Sequence, residues 1–221
     1  AIVAAASLLT GAVGAVSLAG VSPAFRELFG ITSEEQAKNL GVVQMNQVFE
    51  DKNGSGATVT VKEAAADQEQ FYILVEFAAP EGTVLPEPDQ VEEGFNRAVL
   101  WGGPDGRGIG FGAYRDESCT SFIGSSEAGY AIDYVEDSDP TDNKMEFIIR
   151  GHIDPMPKDA AYCLFSGIQS LCMQYQGEWV TVLDGMDIDL IVPLVGMGTH
   201  YDFQGRCGVN LNGVTLAVAE N

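Results

Sequence analysis

The residues whose types and spacing could do chemistry fall in a few short stretches. DYVEDSDPTDNK at 133–144 gathers Asp133, Glu136, Asp137, Asp139 and Asp142. Calcium takes six to eight oxygen ligands, and extracellular modules hold it weakly. These five carboxylates are therefore weak calcium candidates. The order of an EF-hand, with its glycine, is missing, so a solvated acidic turn is the simpler expectation. DGMDIDL adds Asp184, Asp187 and Asp189. The last two fall on one face of an expected strand, pointing to solvent.

WGGPDGRGIGFG at 101–112 is rich in glycine, but a dinucleotide loop needs GxGxxG between a strand and a helix. Gly108, Gly110 and Gly112 instead alternate along what reads as a strand. A hairpin turn at GPDG is expected, with glycines where backbones or rings pack closely. His152 and His200 are the only histidines. Ser166 and Cys163 are near His152 in sequence, without the pattern of a nucleophile elbow. No catalytic residue, and no cofactor beyond the calcium candidates, is expected.

Cys119, Cys163, Cys172 and Cys207 could form disulfides, with three connectivities open, or stay as buried thiols. None sits in a CxxC pair, which removes thioredoxin-like and zinc-ribbon chemistry.

The elements that must position these residues come next. The chain has 221 residues, with 32 acidic against 11 basic side chains and a net charge of −21. Such a balance repels phosphate backbones, so nucleic acid is not an expected partner. It also repels anionic membrane surfaces.

Residues 1–20, AIVAAASLLTGAVGAVSLAG, carry no charge. About 20 apolar residues in a helix match a bilayer core. Residues 1–21 are read as a transmembrane helix contacting the membrane, with a signal segment and a buried helix as the alternatives. Ser7, Gly11 and Ala15 recur at the spacing of a helix-dimer face. Either of the first two readings places the acidic remainder outside the cytoplasm.

Residues 22–41 read as two short helices. SPAFRELFG has Ser22 as cap, Pro23 in the first turn and Gly30 as stop. TSEEQAKNLG has a capping box from Ser33 to Gln36 and Gly41 as stop. Beyond residue 41 the pattern is β. ATVTVKEA places Val59 and Val61 on one face, and QFYILVEFA does the same with Phe71, Ile73, Val75 and Phe77. The two pair as a hairpin through AADQEQ. Further strands are expected in FNRAVLW, GIGFGAY, AGYAIDYV, KMEFIIRGHI, AAYCLF, EWVTVL and DIDLIVPL. Residues 42–221 are thus expected to form a mainly β region of sandwich type. NGSGATVTVKEA at 53–64 is echoed by NGVTLAVAEN at 212–221, so the end of the chain could begin a further β module.

The order of a long apolar helix, SPAFRELFGIT, GATVTVKEAAADQEQFYILVEFAAPEGTVL and later GEWVTVLDGMDIDLIVPL resembles domain-of-unknown-function family 4179. These are single-pass membrane proteins of Gram-positive bacteria. The likeness covers residues 1–86 and, more weakly, 177–194. It implies an anti-sigma-factor-like protein with a cytoplasmic segment, one membrane helix and extracytoplasmic immunoglobulin-like β domains. It carries no catalytic residues. The leading expectation is a non-enzymatic extracytoplasmic domain with a protein partner, possessing the sensory role of an anti-sigma factor. The alternative is a secreted or cell-surface module that binds glycan or protein. An exposed aromatic cluster including Trp101 or Trp179 would favour that alternative.

Overall fold

The computed structural model describes residues 17–66, 70–90, 97–102, 109–124, 127–136, 139–154 and 157–194. Among the described residues two short α-helices precede eleven strands. Helix α1, Pro23–Phe29, begins where the Ser22 hydroxyl accepts from the Phe25 N–H, and it ends at Gly30 in the left-handed region, φ 61°. Helix α2, Glu34–Leu40, begins at a full capping box between Ser33 and Gln36 and ends at Gly41. Both sets of caps are those read from the sequence.

The strands are β1 Val43–Glu50, β2 Thr58–Ala66, β3 Gln70–Ala78, β4 Ala98–Trp101, β5 Gly110–Tyr114, β6 Glu127–Val135, β7 Lys144–Asp154, β8 Tyr162–Ile168, β9 Ser170–Tyr175, β10 Glu178–Leu183 and β11 Ile188–Pro193. They form a five-stranded sheet ordered β1-β2-β3-β7-β6 and two three-stranded sheets, β10-β9-β4 and β11-β8-β5. Their pairings are antiparallel. One residue, Gln169, separates β8 from β9 and so carries the chain from one small sheet to the other. Its N–H donates to the Trp101 carbonyl, and its carbonyl accepts from the Met186 N–H, both at 2.9 Å.

The five-stranded sheet buries both faces. One face supplies Val59, Val61, Phe71, Ile73, Val75, Phe77, Phe147 and Ile149 to a core shared with both small sheets. Phe165 of β8 sits within it, its ring 5.4 Å from Phe111, 5.6 Å from Tyr130 and 5.9 Å from Phe71. Gly151 leaves room there, because a Cβ added to it would lie 2.1 Å from the Phe71 ring. The other face supplies Ala65, Leu74 and Ile148, which pack under Val21, Phe25, Ile31 and Ala37 of the helical segment. Glu63 bolts that segment down. Its buried carboxylate accepts from the Ser22 N–H at 2.7 Å, the Ser22 hydroxyl at 2.9 Å and the Gln44 Nε2 at 2.8 Å.

Past the helices, the same face turns polar. Glu76 and Glu146 lie directly opposite each other, a repulsive pairing on its own. Lys62 pairs with both, and Lys144 reaches Glu76 at 3.0 Å.

The structure departs from the sequence reading at the end of the opening segment and at two strands. Residues 1–16 lie outside the described residues, and no helix among the described residues is long and apolar enough to cross a membrane. The last part of the expected 1–21 span is a 3-10 turn at Leu18–Gly20, followed by Val21 buried in protein. Strands β1 and β9 went unread. β1 is a mostly polar strand with a register shift between Gln44 and Gln47 and Asn46 at φ 52°. β9 is a short run, SLCMQY, without clean alternation. The expected β module beginning near the end of the chain lies outside the described residues.

Candidate functional site

Sheet β10-β9-β4 carries the chain's two tryptophans on one face. In an antiparallel sheet directly opposed residues share a face, and residues two apart along a strand share it too. On β9, Ser170 opposes Trp101, Cys172 opposes Val99 and Thr181, and Gln174 opposes Trp179. Val99, Trp101, Trp179 and Thr181 therefore all point the same way. The intervening residues Ala98, Leu100, Leu171 and Met173 point the other way, into the core. That burial fixes the register, because a slip of one residue would turn the core set outward.

The two tryptophans of this face are open, whereas Val99 and Cys172 are half-buried and Ser170 is buried. Trp101 is 46% exposed and Trp179 is 54% exposed. Strand geometry places the two rings' backbones roughly 16 Å apart, diagonally across the sheet. Between them lie Cys172 and Thr181, with Sγ and Oγ1 3.6 Å apart. The β9–β10 loop is clamped from outside the sheet: the Asp89 carboxylate accepts from the Gln176 N–H at 2.9 Å and the Gly177 N–H at 2.6 Å. Exposed indole with interleaved hydroxyl and amide groups can stack on or pack against a ligand and hydrogen-bond it. The arrangement holds no nucleophile and base in line.

The residues singled out in the sequence are dispersed. Asp133, on β6, pairs with Arg150 at 2.8 Å, and burial lifts its carboxyl above the usual value against the pull of that guanidinium. Asp139 accepts from the Thr141 hydroxyl and N–H, which hold its carboxyl below the usual range. Asp142 accepts from the Lys144 N–H. Glu136 is exposed, and Asp137 lies outside the described residues. Among the described residues no group of three or more His, Cys, Asp or Glu is placed to hold a metal.

Asp187 and Asp189 both engage Lys52, Asp187 at 3.5 Å. Burial works against the Lys52 charge, but Asp189 and then Asp187 hold its ammonium above the ordinary value. Asp184 accepts from the Gly185 N–H. Cys119, Cys163 and Cys172 are free thiols, so the disulfide expectation is not met among these three. Cys163 points into the core from β8 while Cys172 points outward from the other small sheet, so the two cannot meet. Pairings with Cys207 lie outside the described residues. Burial pushes the Cys163 thiol well up. His152 is exposed on β7, opposite Gly129 and Gln70, and His200 lies outside the described residues. Gly110 and Gly112 lie in β5: a Cβ would meet the Ser166 hydroxyl at one and the Tyr114 and Phe122 rings at the other. Gly108 lies outside the described residues.

Sequence reading missed Asp51, which is buried at the start of the β1–β2 loop. Its carboxylate accepts from the N–H groups of Asn53 at 3.0 Å, Ser55 at 2.9 Å and Asp187 at 2.8 Å. Burial pushes its carboxyl up, but the Ser55 hydroxyl and these three N–H groups outweigh that and leave it far below the ordinary range. The local signal was DKNGSG, an aspartate ahead of a turn. The bond to Asp187, 136 residues away, left no local signal.

No family model matches the chain, and no curated protein matches it. Among solved structures, a conserved domain protein from Bacillus anthracis is similar with a TM-score of 0.43 at 11% identity, covering 80% of this chain and 50% of that one. The chain thus spans half the length of that protein.

Proposed function

We propose that this chain is a non-enzymatic binding domain displayed outside the cytoplasm. The observation that carries the proposal is the shared outward face of Trp101 and Trp179 on β10-β9-β4. Exposed aromatic surface of this kind is enriched where proteins meet partners. The net charge of −21 and the apolar opening agree with an extracytoplasmic setting.

The single-pass membrane form with the sensory role of an anti-sigma factor is a separate reading, supported by the resemblance to family 4179 and not by the tryptophan face. The immunoglobulin-like form of the β region belongs to that reading. Antiparallel sheets over one core support it, while a five-stranded sheet ordered β1-β2-β3-β7-β6 departs from the four-on-three arrangement of that fold.

The test is retention on intact Gram-positive cells. Labelled wild-type chain is expected to be retained, and the Trp101→Ala/Trp179→Ala double variant, checked for an unchanged melting temperature, is expected to lose most of that retention. Equal retention of the two would remove the binding face.

A further inference from the structure

We propose that the outer edge of β10 is a strand-addition site for an extended segment of a partner protein that carries lysine or arginine. The proposal rests on the tryptophan face being a binding face, and it adds how the partner is held and what kind of partner it is.

The phase of the β9–β10 ladder decides which backbone groups reach the edge. The connecting loop is two residues, Gln176 at φ 54° and Gly177 at φ 84°, both left-handed as a type I′ turn requires. In such a hairpin the residues flanking the loop, Tyr175 and Glu178, exchange hydrogen bonds, and the next pair, Gln174 and Trp179, does not. An independent observation agrees. The Gln174 N–H donates to the Arg97 carbonyl at 2.7 Å and its carbonyl accepts from the Asp89 N–H at 2.8 Å, so both point away from β10. The N–H and C=O of Trp179 therefore point outward, and alternation gives Thr181 the same orientation. Among the described residues no strand pairs with that side of β10.

This edge carries none of the usual side-chain guards, and its one irregularity is a register shift between Thr181 and Leu183, past the two outward-facing positions. Exposed edges are commonly blunted by lysine, proline or inward charge. Glu178–Leu183 contains none of these and has one charge, at its first position. The side chains that flank the open backbone are Trp179 and Val180, the latter 36% exposed. The Asp89 clamp on the loop fixes the hairpin before any partner arrives, which lowers the ordering cost of binding.

Charge selects the occupant. The strip from Trp179 to Leu183 is uncharged within a chain of net charge −21, and it is bounded by Glu178 at one end and Asp184 at the other. A second copy of the chain would set two such charges against each other. An extended segment with cationic residues at its ends would instead meet both carboxylates while its backbone pairs with Trp179 and Thr181.

The test titrates the full chain with acetyl-Lys-Val-Thr-Val-Thr-Lys-amide, with the same peptide carrying Glu in place of Lys, and with the Lys peptide N-methylated along one backbone edge. Backbone amide NMR and tryptophan fluorescence read binding. The Lys peptide is expected to bind saturably and to shift the amides of Trp179 and Thr181. Thr181→Pro, which removes an outward N–H that β9 does not use, is expected to weaken binding about tenfold, while Thr181→Ala stays within about twofold. The Glu peptide and the N-methylated peptide are expected not to bind, and the latter comparison stands even where Thr181→Pro fails to fold.

Absence of binding by the Lys peptide, equal binding by its Glu or N-methylated form, or equal binding to the Pro and Ala variants would overturn the proposal. So would dimerisation of the chain through β10 that excludes the peptide. Binding that survives Thr181→Pro but is lost in Trp101→Ala/Trp179→Ala would overturn strand addition and leave the tryptophan face standing. Binding lost in Thr181→Pro and unaffected by the double variant would do the reverse.

Discussion

The two three-stranded sheets are near twins in size and differ in how they end. Sheet β11-β8-β5 is closed off at β11. Asp189 pairs there with Lys52 and accepts from the Gly167 N–H at 2.8 Å, and Pro193 finishes the strand. The Lys52 N–H donates to the Asp187 carbonyl just ahead of it, so the β1–β2 hairpin is tied to that side. Sheet β10-β9-β4 ends in a strand of open backbone and exposed indole. One sheet spends its polar groups on holding the fold together, and the other leaves them facing outward. The difference shows that two sheets of equal strand number can put their polar groups to opposite uses, one set tying elements together and the other left open to solvent.

The comparison can be broken first at the core of the closed sheet. Phe165→Ala on β8 is expected to destabilise the fold by about 3–5 kcal/mol, because it empties the centre of an aromatic cluster. Urea unfolding measures it, and a loss under about 1 kcal/mol would mean that the sheets do not share one core.

Asp51 comes next. Asp51→Ala strands three N–H groups and is expected to cost about 1–3 kcal/mol, loosening the join between the β1–β2 loop and β11. The folded carboxyl lies far below its ordinary value of 3.8. Its contribution is therefore fully present above that value and is lost as pH falls below it. Melting temperature against pH should fall less steeply below 3.8 in Asp51→Ala than in wild type. Parallel slopes would show that Asp51 carries none of the acid sensitivity.

The smallest effect is expected on the open sheet. Trp179→Ala should change stability by no more than about 0.5 kcal/mol, since the indole is more than half exposed. A loss of several kcal/mol in the same unfolding assay would make Trp179 a structural residue and erase the contrast.

Local patterns foretold much of the scaffold. Ser22, Gly30, Ser33, Gln36 and Gly41 mark both helices because capping is a matter of adjacent residues. Val59, Val61, Phe71, Ile73, Val75 and Phe77 declare one face by alternation. The helical layer was also written in YILV, where Leu74 breaks the alternation by being buried between two inward neighbours. A strand buried on both faces has that continuous apolar run. What stayed illegible depends on pairing at a distance. Nothing near Trp101 or Trp179 says that β9 lies between them, and β9 itself was unread. The carboxylates of 133–144 looked like one cluster in sequence, yet strand β6 sends Asp133 to Arg150 while Asp139 and Asp142 cap their own turn.

Glu63 has a mechanical consequence. The chain arrives at the five-stranded sheet through Gly20 and Ser22, and the Gln44 Nε2 that donates to Glu63 also donates to the Gly20 carbonyl at 2.6 Å. Tension applied at Ser17 therefore meets, together with the apolar seats of Leu18 and Val21, one carboxylate and one amide that tie the chain to β1 and β2. The segment is thus held to the sheet by a polar joint as well as by its apolar face, and Leu74 and Ile148 are among the sheet residues that face covers.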